Sequence, residues 1–349
     1  MTIYYLIYIC IPVLYLVDEY FFKRKKAAFF LSGFLLFIIS AFRNYTVGTD
    51  TVTYKMVFDS TSNLSYSFSQ IKDTFNLESG YLILNRIIGY LHGDFRFFLV
   101  ITSFITIFGY FYFIKKYSVN SFMSITLFVG LTYYFMSFNI SRQFLATAIC
   151  FLALCFIKDN KLMISIVLVL LATTIHMTSL TFLPLILLIR FGKSKRWLLA
   201  VLWISVFLMG VSPFIIKRMM ITNRYSYYLS NSTDRSLFSI IFTFILFIML
   251  FILIKEFNFS VATSLDYLML YGMLFVCFFD LLVIFVPSIS RLKYVFEPLI
   301  IVIIPYFLKK NKVEPFILFN LIFLILGIVI MSYLIPNNIF YGIDPYIFG

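Results

Sequence analysis

Long apolar runs recur from residue 3 to residue 335, most of them separated by short polar breaks. In lipid every backbone N–H and C=O must be satisfied within its own segment. A run of roughly 17–25 apolar residues therefore reads as a helix that crosses a bilayer. Of the 349 residues, 62% are hydrophobic and 12% charged, against about half and a quarter in a soluble domain. The ten-residue alternation of a transmembrane β-barrel is absent. The sequence thus predicts an all-α polytopic membrane protein.

The runs lie near 3–17, 27–42, 95–114, 121–138, 140–157, 162–176, 179–189, 197–216, 236–254, 264–286, 294–308 and 313–335. That is about 12 transmembrane helices in a single membrane domain, 1–349. The first run lacks a basic leader and a small-residue cleavage site, so it reads as a retained helix. The run 179–189 is too short to span upright and reads as half of a broken helix. Cys10, Cys150, Cys155 and Cys277 lie inside apolar runs without CxxC spacing and read as core residues.

The net charge of +13 comes from Lys/Arg clusters between the runs, and it does not call for nucleic acid. Basic residues collect in cytoplasmic loops. This puts Lys23 to Lys26, Lys115-Lys116, Lys158/Lys161, Arg190 to Arg196, Lys255 and Lys309 to Lys312 inside, and both termini outside. The inner clusters are mostly lysine. Most arginines fall outside: Arg43, Arg86, Arg96, Arg142, Arg218, Arg224, Arg235 and Arg291. Arginine grips phosphate with a planar fork where lysine offers a point charge. An arginine-rich outer face therefore points to a phosphate-bearing ligand. The competing reading is snorkelling to lipid phosphates, which suits Arg86, Arg96 and Arg235.

The densest polar chemistry is Arg43-Asn44-Tyr45-Thr46-Val47-Gly48-Thr49-Asp50-Thr51, with Tyr54 just beyond. It opens an outward polar loop, 43–94, that contains an interfacial helix over Tyr81–Leu91. Asp50 is expected in a turn beside Arg43, which keeps it ionised. Arg142 and Arg291 each stand at the start of an apolar run, after Ser141 and Ser290. A cation there opposes the helix dipole, a cost that a bound anion relieves. Gln143 follows Arg142, and the small face Ala146-Thr147-Ala148 permits close helix packing. Tyr294 lies three residues after Arg291 and shares its helix face. His176 ends an apolar run before Met177-Thr178-Ser179, and Glu78 precedes Ser79-Gly80-Tyr81. Asp50, His176 and Glu78 are the available bases; His176, which titrates near neutrality, suits proton transfer, with Asp50 positioning substrate. Tyr225, Tyr227, Tyr228, Tyr341 and Tyr346 are candidates for stacking on sugar rings, or members of an interfacial aromatic belt. No metal-ligand spacing, phosphate-binding glycine loop or GxSxG motif occurs.

The stretch Phe42-Arg43 to Val47-Gly48-Thr49-Asp50-Thr51 with Tyr54 resembles the opening signature of the EpsG-like family. So do Glu78-Ser79-Gly80-Tyr81, Ser141-Arg142-Gln143, His176 with its polar followers, and Ser290-Arg291 with Tyr294, in that order over nearly the whole chain. Members of that family look like Wzy-type polysaccharide polymerases. The resemblance implies a GT-C-like membrane glycosyltransferase of the bacterial cytoplasmic membrane. Such an enzyme takes undecaprenyl-diphosphate-linked glycans as donor and acceptor, and builds surface polysaccharide such as O-antigen at the outer face. It needs no cofactor or metal. Its partners are membrane lipids and a chain-length regulator. Arg43, Arg142 and Arg291 then hold the diphosphate; His176, Asp50 and Glu78 supply catalysis; Tyr54, Gln143 and Tyr294 contact substrate. A lipid-linked oligosaccharide ligase would use the same arginines with another acceptor. A transporter would want polar residues at mid-membrane on several helices, where this chain has few.

Overall fold

The computed structural model describes residues 2–22, 26–62, 67–91, 93–220, 237–285, 290–313, 316–337 and 342–349. Lys23, Arg24, Lys25, His92, Arg224, Tyr225, Tyr227, Tyr228, Ser230, Arg235 and Tyr341 lie outside the described residues, as does the side chain of Arg218. Among the described residues all regular structure is helical, apart from one antiparallel bridge between Arg43 and Phe348.

The chain separates into two compact units. One comprises Met1–Leu180 with Leu308–Gly349, the other Thr181–Phe307. The first holds α1 (Thr2–Val17), α2 (Lys26–Ala41), α3 (Thr49–Ser62), α4 (Phe68–Phe75), α5 (Ser79–Tyr90), α6 (Phe95–Tyr117), α7 (Ser121–Gly130), α8 (Tyr133–Asn139), α9 (Ser141–Lys158) and α10 (Leu162–Ile175), and the late helix Phe316–Asn337. Its centre is α6 against α9. Tyr110 of α6 stacks on Phe128 with ring centroids 4.7 Å apart, and Phe113 stacks on Phe151 at 4.4 Å. Ala146, Thr147 and Ala148 are fully buried, so the small face of α9 is a packing face. The late helix by contrast is only 17% buried. Its exposed isoleucines and leucines suit a hydrocarbon surround better than water.

In the second unit the helix Ser264–Phe285 is central and the run Lys195–Ser212 peripheral. Phe296 is stacked between Phe279, at 4.9 Å, and Phe182, at 4.7 Å. The Tyr271 hydroxyl donates to the Gly192 carbonyl at 2.6 Å, which joins two helices of this unit.

Among the described residues, the apolar runs fall mostly on helices. Among the described residues, six helices are long and apolar enough to cross a membrane, or seven with α7 and α8 taken as one bent span. Four others, Lys26–Ala41, Leu162–Ile175, Met177–Phe191 and Ile240–Lys255, are apolar but shorter. The 14 residues of α10 rise only about 21 Å at 1.5 Å each, short of a hydrocarbon layer of about 30 Å. The run 121–138 is not one helix. It bends by 47° between α7 and α8, where Thr132 adopts a left-handed backbone, φ 67°.

The polar stretch 43–94 also differs from a loop with one interfacial helix. It carries α3, α4 and α5. The Ser67 hydroxyl caps α4 by accepting the Gln70 N–H at 3.3 Å, while the Gln70 side chain accepts the Ser67 N–H at 3.0 Å. Asp50 stands in the first turn of α3. The amphipathic signal of α3 is faint because threonines, Thr51 and Thr61, serve as buried residues on its inner face.

Candidate functional site

The site in the first unit is built where α3, α5, α9 and α10 begin or end. Gly48 precedes α3 with φ 96°, and a Cβ there would lie 2.6 Å from the Phe138 carbonyl oxygen. Only glycine lets the chain turn against that backbone. The turn brings the Thr51 hydroxyl to the same carbonyl at 2.9 Å. It also seats the start of α3 on Asn139, whose Oδ1 accepts the Asp50 N–H at 2.8 Å and the Thr49 hydroxyl at 2.5 Å. Asn139 thereby satisfies an N-terminal donor of α3 from another helix. Asp50, half-buried, is held at the positive end of the α3 dipole, which favours its carboxylate.

Three residues beyond Asn139, Arg142 stands in the first turn of α9 and forms an ion pair with Glu78, the N-cap of α5. The other Glu78 oxygen accepts the Met177 N–H at 2.9 Å. One carboxylate thus ties α5, α9 and the end of α10 together. Gly80 makes this approach possible, because a Cβ there would overlap the Thr174 side chain of α10. The Arg142 guanidinium lies 5.6 Å from the Tyr81 ring centre, and Tyr81 meets Tyr54 edge to face at 6.0 Å. The Arg142 Nε and the Tyr81 hydroxyl have no hydrogen-bond partner among the described residues. Gln143, next on α9, is buried. His176 closes α10 in extended backbone, and its Nδ1 lies 2.6 Å from the Thr178 hydroxyl.

The structure therefore joins Asp50, Tyr54, Glu78, Arg142, Gln143 and His176 around one set of helix termini. The sequence missed two members. Asn139 is the seat of α3, and in the sequence it is one of many asparagines. Tyr81 is the platform between Arg142 and Tyr54, and its place in the Glu78-Ser79-Gly80-Tyr81 motif was the signal.

Arg43 is placed differently from the turn-side partner of Asp50 that the sequence suggests. It is 2% exposed. Its guanidinium donates to the Ser40 carbonyl, lies 3.5 Å from the Ser103 hydroxyl and packs over Phe138 at 4.9 Å. Burial pulls its pKa down to about 10, against a smaller opposing pull from Tyr134. The segment Gly342–Gly349 straps this turn. The Asn44 N–H donates to the Ile347 carbonyl at 2.7 Å and the Gly48 N–H to the Gly342 carbonyl at 2.8 Å. Tyr346 belongs to the strap: its hydroxyl donates to the Ile39 carbonyl at 2.8 Å and its ring packs on Tyr4 and Phe348. It is a packing residue here.

Arg291 and Tyr294 lie in the second unit, on the helix Ser290–Phe296. Arg291 is exposed and Tyr294 half-buried. Lys293 sits over the Tyr294 ring at 5.1 Å and pairs with Glu297 at 3.6 Å.

The model of the EpsG family matches residues 26–348, and the chain belongs to that family. No curated protein and no solved structure matches it.

Proposed function

We propose that this EpsG family member is a Wzy-type polymerase that joins undecaprenyl-diphosphate-linked oligosaccharide repeat units into a surface polysaccharide such as O-antigen. The family is polysaccharide polymerase-like, and the chain is a multi-pass membrane protein. The finer reading adds a GT-C-like architecture of twelve spans, in the cytoplasmic membrane of a bacterium, with residues 43–94 at its outer face. The observation that carries it is Arg142, a guanidinium at a helix start balanced by a single carboxylate, Glu78.

In the reaction the bond between the donor's anomeric carbon and the diphosphate oxygen breaks as an acceptor hydroxyl attacks that carbon. The leaving diphosphate takes up negative charge. Arg142 exchanges Glu78 for phosphate oxygens as that charge develops, with the positive end of α9 behind it. For Arg291, in the second unit, the diphosphate-binding role rests on the family resemblance alone. Arg43, by contrast, is turned onto Ser40, Ser103 and Phe138, and lines a different cavity. His176 takes the proton of the acceptor hydroxyl. The Nδ1 contact with Thr178 orients the ring. Asp50 positions the acceptor, and Tyr54, Gln143 and Tyr294 contact the glycan.

The test is incubation of the purified protein, in lipid nanodiscs, with lipid-linked repeat units. A ladder of products spaced by one repeat supports polymerase. Transfer to a different lipid acceptor without a ladder replaces it with a ligase. A companion reconstitution in sealed vesicles that moves unchanged substrate across the bilayer, with no ladder formed, replaces it with a transporter.

A further inference from the structure

Two carboxylates lie inside the second unit. Asp280, on the helix Ser264–Phe285, is 5% exposed, and Glu297, just after the helix Ser290–Phe296, is 7% exposed. Phe279 and Phe296, the residues before them, stack with ring centroids 4.9 Å apart, so the two backbones meet where the carboxylates leave them. Along its helix Asp280 is about 8 Å from the Phe285 end. Asp280 Oδ1 and Glu297 Oε2 have no hydrogen-bond partner among the described residues.

The Lys293 ammonium is 3.6 Å from Glu297 Oε2. Glu297 and Lys293 are also the charges that act on Asp280. The other ionisable neighbours are Cys277, one turn before Asp280, and Tyr294, with the exposed Arg291 beyond it. Among the described residues, Arg190, Lys195, Arg196 and Lys255 stand toward the other end of Ser264–Phe285. Gly192 is bonded to Tyr271, about 14 Å before Asp280 along the helix, and Lys255 precedes the loop into Ser264.

Two ionised carboxylates against one ammonium leave a net negative charge in an apolar interior. An uncompensated buried charge is far costlier than a protonated carboxyl. Two carboxylates that share a site therefore keep a proton on one of them. The orphan oxygens fit this, because a carboxyl O–H is the donor that a neighbouring carboxylate oxygen lacks. Ionisable groups at such depth in a membrane protein commonly hold or relay protons.

We infer that Asp280 and Glu297 bind one proton between them, with Lys293 as counter-ion, as a pH-sensitive switch beside the helix that carries Arg291 and Tyr294. With the proton the cluster is neutral. As pH rises and the proton leaves, the cluster turns negative. Protonation of the pair needs no substrate, so it is tested separately from the polymerase reading.

The test is infrared difference spectroscopy of the full chain in nanodiscs of zwitterionic lipid, between neutral and alkaline pH. The parent is expected to show the C=O stretch of a protonated carboxyl at neutral pH and to lose it in alkali. Asp280→Asn and Glu297→Gln should each remove the band, because the carboxylate that remains has Lys293 to itself. Lys293→Gln should strengthen it, because both carboxyls then take a proton. Absence of the band from the parent's difference spectrum overturns the inference, and that measurement needs no variant to fold. A band unchanged in any of the three variants, each first shown to elute as a folded particle, overturns it too. So does a band that appears only when sodium is replaced by choline, which would make the pair a metal-cation site.

Discussion

The Glu78 carboxylate holds the Arg142 guanidinium with one oxygen and the Met177 backbone N–H with the other, the latter at 2.9 Å. Residues 64 positions apart in the chain thus share one charge, and the residue after His176 is drawn into the same contact. We propose that Glu78, held by these two contacts, acts as a positioning residue. As a proton acceptor it would have to leave a cation. Glu78→Gln keeps an acceptor for Met177 and should lower turnover by no more than about tenfold, whereas a general base lost outright costs about 10²–10⁴. Glu78→Ala should also lower the unfolding temperature, since it removes hydrogen bonds to a charged group worth about 1.5–3 kcal/mol, less what solvent already screens at this largely buried pair. Turnover by Glu78→Gln as low as by Glu78→Ala would make Glu78 the base.

Arg142→Ala should abolish polymer while the protein stays folded in the membrane. Arg142→Lys should rescue poorly, because an ammonium cannot reproduce a bidentate fork over the Tyr81 ring. The measurement is product length on a gel, beside a fluorescence-detected elution profile for folding. Near-parental activity of Arg142→Lys would reduce the role of this arginine to charge screening. Arg291→Ala and Arg291→Lys are expected to behave in the same way.

His176→Ala should cost about 10²–10⁴ in rate, the usual scale for a lost general base. Thr178→Val removes the hydroxyl 2.6 Å from Nδ1. It should shift the acid limb of the pH–rate profile while leaving expression unchanged. Asp50→Asn should act through substrate placement and raise KM more than it lowers kcat. A His176→Ala enzyme within a few-fold of the parent, beside a dead Asp50→Asn, would exchange the two roles.

Gly48→Ala combines a positive φ of 96° with a Cβ only 2.6 Å from the Phe138 carbonyl oxygen. Strain of that kind costs on the order of 1–3 kcal/mol, so thermal unfolding in detergent should occur several degrees lower. Asn139→Leu leaves the turn intact but removes its seat, and should cost about 1 kcal/mol, as for a lost helix cap. A Gly48→Ala protein as stable as the parent would mean that the turn relaxes away from α8.

Single cysteines in a cysteine-free background map the membrane topology. Positions 115, 158, 193 and 310 should resist an impermeant maleimide added outside intact cells, and positions 50, 176 and 349 should react. Position 230, expected outside, lies beyond the described residues. Reaction at 193 or 310 would change the number of crossings.

The sequence by itself determined that this chain lives in a membrane and is helical, because lipid leaves the backbone no other partner for its own N–H and C=O groups. It also picked out Asp50, Glu78, Arg142 and His176, since charge and hydroxyl groups are conspicuous in an apolar chain. Tertiary structure alone decided their company. Glu78 meets Arg142 because Gly80 lets α5 close on α10, and Asp50 is seated by Asn139 because Gly48 turns against Phe138. Such contacts depend on backbone approach between distant segments, which leaves no periodicity to read. The same reason separates Arg43 from Arg142. The two arginines look alike in sequence, but the helix between their surroundings turns one set of side chains to each side. Arg43 is committed to Ser40 and Phe138, and Arg142 to Glu78.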